Sequence, residues 1–138
     1  METSGYSGTP LAKKLGFKEN FKIRLVNIRE NYYELFDHMP DGVVETDDPE
    51  ILKDLIHYFT KQTSELERDI LKLKQEIKPN GMIWISWPKK ASKMSTDLTE
   101  DVIRNIALNN GLVDIKVCAI DEIWSGLKLV IPVKERNI

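Results

Sequence analysis

Few side chains in this sequence are of types that could do chemistry, and they are scattered. His38 and His57 each stand alone, with no second histidine and no cysteine at ligand spacing, whereas a tetrahedral metal site needs three or four such donors. His57 sits inside the apolar run Asp54-Leu55-Ile56-His57-Tyr58-Phe59, where a hydrogen-bonded core histidine is the simpler reading. The single cysteine, Cys118, lies in another alternating apolar run and reads as an inert buried thiol. Ser92 and Ser125 lack a base partner and a Gly-x-Ser-x-Gly elbow, and no phosphate-binding glycine loop is present. No catalytic set and no metal site is expected. What remains is recognition chemistry: Arg29, Lys89 and Lys90 as charge, Ser92 and Asp121 as polar contacts, and Trp124 as a stacking surface. Together these suit an anionic or nucleotide-like ligand. Lys13 and Lys14 form a second basic pair, whose simpler role is to offset the dipole at the end of a short helix.

These residues sit in a chain of 138, with 20 basic and 22 acidic side chains. That length fits one domain able to bury a sizeable core. The net charge of −2 argues against general nucleic-acid binding, which needs a net basic face. One cysteine excludes a disulfide framework within the chain. No apolar run approaches the ~20 residues of a membrane span, and the polar N-terminus lacks a signal-peptide core. The expectation is a soluble, cytoplasmic, single domain over residues 1–138, with residues 1–8 flexible.

The elements that would position the candidates follow from pattern. Thr9-Pro10 starts and Gly16 ends a short helix. Lys22 to Asn27 reads as a strand, Tyr32 to Phe36 as a short helix, and Val43 to Thr46 as a short strand. Asp54 to Phe59 is a further strand. Leu66, Ile70, Leu73 and Ile77 make one apolar stripe, predicting a helix that Lys78-Pro79-Asn80-Gly81 ends. Met82 to Trp87 is nearly all apolar, as in a strand covered on both faces, so Trp84 reads as core. Asp97 with Glu100 has capping-box spacing, Thr99 is a rival cap, and Val102, Ile103, Ile106 and Ala107 form the buried side of the helix that follows. Val113 to Ile120 and Leu127 to Val133 complete the chain as an antiparallel hairpin, with Trp124 in its turn.

Strands alternating with helices predict an α/β, Rossmann-like three-layer sandwich, with a mostly parallel sheet of about six strands and a C-terminal antiparallel hairpin. Ligands of such sheets bind beyond the carboxyl ends of the parallel strands. The rim should then be built by Asn27 to Asn31, Thr46 to Glu50, Trp87 to Thr96 and Asp121 to Gly126. This gathers Asn27, Arg29, Asp47, Lys89, Lys90, Ser92, Asp121 and Trp124 on one edge.

From Asp54 to Val133, the order of helix, Lys-Pro-Asn-Gly turn, apolar strand, helix and hairpin resembles the second half of a class I methyltransferase. The segments Tyr6 to Gly16, Trp87 to Ser92, Thr96 to Glu100 and Trp124 to Lys128 resemble, nearly end to end, a small bacterial family of unknown function, number three-thousand-fifty-two of the domain-of-unknown-function series. That resemblance names no activity. The methyltransferase resemblance implies S-adenosylmethionine, a glycine-rich turn after the first strand, and an acid after the second. No glycine lies between Gly16 and Gly42, so Ile28 and Arg29 would crowd that cofactor and any positive-φ position would be costly. Asp47 or Asp48 stands where the acid would. The cofactor is therefore disfavoured. The first reading is a non-catalytic domain that binds a small anionic ligand or a protein partner. One alternative is a divergent methyltransferase framed by Asn27, Asp47 and the Trp87-Pro88 loop. Another is a module that self-associates through the hairpin and Trp124.

Overall fold

The computed structural model describes residues 9–136; the flexible segment expected over 1–8 lies outside them. The chain runs α1 (Leu11–Leu15), β1 (Lys22–Val26), a 3-10 turn (Tyr32–Leu35), β2 (Val44–Glu45), β3 (Lys53–Phe59), α2 (Thr63–Gln75) and β4 (Ile77–Pro88). A second 3-10 turn (Lys90–Ser92), α3 (Glu100–Asn109), β5 (Val113–Ala119) and β6 (Trp124–Val130) follow. The strands form one sheet in the order β2-β1-β3-β4-β6-β5. β2, β1, β3 and β4 are parallel, while β6 lies antiparallel between β4 and β5. This is the expected Rossmann-like architecture.

Alternation along the strands divides the core between two faces. Ile56, Tyr58, Ile83, Ile85, Trp87, Leu127 and Leu129 face α2 and α3, whose Leu66, Ile70, Leu73, Ile103 and Ile106 cover them. Leu55, Phe59, Trp84 and Trp124 face the other way, where α1 and the first 3-10 turn bring Leu15, Phe17 and Tyr32. Trp84 is fully buried, and its indole N–H donates to the Leu15 carbonyl at 2.8 Å, fixing α1 to that face. Thr99 caps α3 by accepting from the Val102 N–H. Asp97 does not complete a capping box: its carboxylate accepts from the Thr63 N–H at 2.7 Å and so caps α2.

Two boundaries differ from the sequence reading. α2 stops at Gln75, and Ile77 opens β4 by pairing with Lys53. Lys78 to Gly81 then form a bulge inside the strand, because the next pair is Leu55 with Met82. A Cβ at Gly81 would stand 2.9 Å from the Lys53 carbonyl, so only glycine passes there unhindered. The last strand starts at Trp124, which pairs with Pro88, and ends at Val130; Trp124 is a strand residue rather than a turn residue.

The reason α2 stops is electrostatic. Glu76, 3% exposed, takes the Lys53 ammonium on Oε1 at 2.9 Å and the Arg24 guanidinium on the same atom at 2.9 Å. Lys53 itself is fully buried and also donates to the Asp48 carbonyl at 2.6 Å. Burial pushes the Glu76 carboxyl up, but Lys53 and Arg24 outweigh it and hold the group below its ordinary range. Removing one partner of such a set leaves an uncompensated charge in the interior. Glu76→Gln should therefore lower unfolding stability by about 3 kcal/mol, read as a lower urea midpoint. Adding Lys53→Met should recover most of the loss; an additive further loss would show that the charges themselves are not the issue.

Candidate functional site

The turn after β1 decides what the cleft can hold. Asn27 ends the strand with φ 59°, so the left-handed position that the sequence reading reserves for glycine is filled by asparagine, an L residue that tolerates it. Its amide donates to the Phe59 carbonyl at 3.0 Å and reaches the Glu65 carboxylate at 3.4 Å. The ends of β1 and β3 and the first turn of α2 are thereby joined. Arg29 then crosses towards β6, with its guanidinium 5.8 Å from the Trp124 ring centroid and 3.6 Å from the Asp121 carboxylate. Asp121 in turn accepts from the Ile123 and Trp124 backbone N–H groups, each at 2.8 Å. Trp124 is 7% exposed and meets Phe59 edge-on at 5.2 Å. It is a core residue with one margin on the cleft, which removes it as a free self-association contact.

The resulting hollow, about 330 Å³, is lined by Asn27, Arg29, Thr60, Lys61, Glu65 and Trp124 among others. A second hollow of about 580 Å³ meets it at Met94 and is lined by Trp87, Pro88, Lys90, Lys93 and Leu98. Of the sequence candidates, Asn27, Arg29, Asp121 and Trp124 come together, and Lys90 stands at the neighbouring hollow. Lys89 and Ser92 shape that loop: the Lys89 N–H donates to the Ile123 carbonyl, and the Ser92 hydroxyl donates to the Lys89 carbonyl. Asp47 is exposed beyond the two-residue edge strand β2 and lines neither hollow. Lys13 and Lys14 ride on α1, away from both. Lys61, Glu65, Lys93 and Met94 are missing from the sequence candidates. The strand-end rule applied to β3 would have found Lys61, since it lies two residues past Phe59.

A buried polar chain supports the Arg29 turn from beneath. Tyr32 and Ser86 place their hydroxyls on Nδ1 and Nε2 of His57, each at 2.8 Å, and all three residues are buried. Phe59 stacks on the imidazole at 4.3 Å. One hydroxyl donates and the other accepts, which a neutral imidazole satisfies fully. Burial pushes the His57 imidazolium pKa down to about 3, as expected of a core histidine. Cys118 is half-buried, and burial pushes its thiol up, which fits an unreactive group. Among the described residues no cluster of three or more His, Cys, Asp or Glu could hold a metal, and no helix is long and apolar enough to cross a membrane.

Comparison with known proteins agrees with this architecture. A family model described as "Protein of unknown function (DUF3052)" matches residues 12–133. No curated protein matches the sequence. Among solved structures, a SAM-dependent methyltransferase from Aquifex aeolicus superposes with TM-score 0.61 at 15% identity, covering 88% of each chain. Magnesium protoporphyrin IX methyltransferase from Synechocystis PCC 6803 with bound SAM gives 0.58 at 12% identity, covering 88% of this chain and 76% of that one. A TehB-like SAM-dependent methyltransferase from Corynebacterium glutamicum gives 0.58 at 12%, covering 88% and 85%. At these identities the likeness is one of fold.

The residues present do not fit S-adenosylmethionine, the group that fold implies. The β1 turn has side chains where close backbone approach would be required, and Arg29 spans the opening between Trp124 and Asp121. The cations that line the hollow, Arg29 and Lys61, share the sign of a sulfonium. Glu65, the acid among the lining residues, is already bonded by Thr60 and Asn27.

The histidine chain makes a testable demand on pH. His57 has a folded pKa below its unfolded value near 6.5, so between the two the unfolded chain binds a proton that the folded chain refuses. Its contribution is intact above about pH 6.5 and is lost as pH falls towards 3. Stability should drop by about 1–2 kcal/mol between pH 6.5 and 5, measured by urea unfolding. A flat profile over that window would contradict a neutral, buried His57.

Proposed function

The chain belongs to the DUF3052 family, whose description names no activity, and we propose that within it this domain binds a small anionic, nucleotide-like ligand without transforming it. The observation that carries this reading is Arg29, held by Trp124 and Asp121 across the mouth of the cleft with Lys61 beside it. An arginine fixed in this way is a planar donor ready for a carboxylate or phosphate. Lys61, Lys89, Lys90 and Lys93 form no ion pair with their side chains among the described residues. Trp124 contributes as the ring over which the Arg29 guanidinium lies. The hydroxyl and carboxylate in the cleft, Thr60 and Glu65, bond each other at the start of α2 and hold backbone in place.

The runner-up, a divergent S-adenosylmethionine-dependent methyltransferase, is favoured by the fold likeness and opposed by the Arg29 crossing and by Asp47 lying outside the cleft. Self-association through the terminal hairpin and Trp124 keeps the exposed Ile115 and Val117 of β5 but not Trp124, whose ring is packed within its own core.

A native mass spectrum of gently purified protein, paired with calorimetric titration of adenosine monophosphate and of S-adenosylmethionine, tests these readings. Retained mass or saturable nucleotide binding is expected, weakened about tenfold by Arg29→Ala, the loss of roughly one charge-assisted contact. That variant should melt nearly unchanged, since the Arg29 pair is exposed and worth little to stability. Saturable S-adenosylmethionine binding without nucleotide binding would favour the methyltransferase instead. A bare mass with no binding of either compound would sink both.

A further inference from the structure

On the α1 side of the sheet, three lysines lie near one another. Lys116 on β5 and Lys128 on β6 are direct cross-strand partners in the antiparallel ladder. Like charges placed opposite one another in this way destabilise a sheet. Lys128 in turn neighbours Trp84 of β4 in register, and that tryptophan carries the C-terminal end of α1 on its indole. The alternation that sends Leu127 and Leu129 to the α2–α3 core sends Lys128 to this face, where its stem is half-buried. Lys18, just past the end of α1, acts on the Lys128 ammonium together with Lys116. Burial and then these two cations press Lys128 towards its neutral form, and no carboxylate offsets them. Among the described residues none of the three lysines has an ion-pair partner.

Lys18 and Lys116 are exposed and Lys128 is half-buried, so the cross-strand repulsion is modest and an anion placed between the ammonium groups would relieve it. We propose that Lys18, Lys116 and Lys128 form a second anion site, separate from the cleft, for the phosphate or polyphosphate part of a small ligand. Lysine ammonium groups recognise phosphate as point charges, needing no fork geometry. Three of them match a multivalent anion better than a monovalent one, because a single negative charge leaves two cations facing each other.

The test uses the whole chain with inorganic pyrophosphate as probe, against sodium chloride at equal ionic strength. Pyrophosphate should raise the melting temperature by several degrees beyond the salt control, as a ligand specific to the folded state does. Lys116→Gln should melt higher than the wild type without anion, because the cross-strand repulsion is gone, and should lose the patch's share of the pyrophosphate response. Lys128→Met should lose that share as well. Arg29→Ala should lose only the cleft's share of the response, and in that background Lys116→Gln should remove the part that remains. If pyrophosphate acts no differently from chloride, or if Lys116→Gln responds like the wild type, the patch is not an anion site. If Arg29→Ala alone abolishes the response, the anion goes to the cleft and the patch is overturned, while the cleft reading stands.

Discussion

A single carboxylate organises the lower end of this molecule. Glu76 is buried between Lys53 of β3 and Arg24 of β1, and it sits at the junction where α2 gives way to β4. Because the chain must return to those two cations, α2 ends there and Ile77 enters the sheet beside Lys53. The bulge from Lys78 to Gly81 follows from that early entry, and the bulge resets the register so that His57, Trp84 and Lys128 come abreast. Everything at the opposite end of the strands inherits this register. Ser86 reaches His57, and Pro88 meets Trp124 where the cleft begins.

The cleft then owes its character to substitutions at a position the fold makes sensitive. In folds of this class the turn after the first strand is where backbone and ligand approach most closely. Here Asn27 keeps the left-handed backbone but spends its side chain tying β1 to β3 and α2. Arg29 then lies over Trp124 and beside Asp121 at the opening. A fold shared with methyltransferases thus carries an arginine side chain at this turn, and likeness of fold does not by itself carry function.

How much of this was legible beforehand depends on the range of the forces involved. The stripe of α2, the apolar β4 and the run of β3 are local patterns, and they were readable because each element's burial follows from its own periodicity. Ile77 was not: it continues the helical stripe and suits a strand equally, and the choice is made by a contact between Glu76 and Lys53, 23 residues apart in sequence. Trp124 was misread as a turn residue because the start of β6 is set by Pro88 on another strand and by the Asp121 side chain capping the turn. Arg29 emerged from the strand-end rule; Asp47 followed from the same rule but failed, since β2 is a two-residue edge strand that carries its loop away from the cleft.

The short segment before α3 has a consequence for how the protein breathes. Within four residues, Thr96 donates its hydroxyl to the Lys61 carbonyl, Asp97 caps α2, and Thr99 caps α3. The starts of both helices covering one face of the sheet are therefore held by the same piece of chain. Their first amide protons should not exchange with solvent independently: an opening that frees one helix start frees the other, making the two helix origins a single cooperative unit. Occupancy of the adjoining cleft would then be felt as slower exchange in both helices, although only a loop touches the ligand.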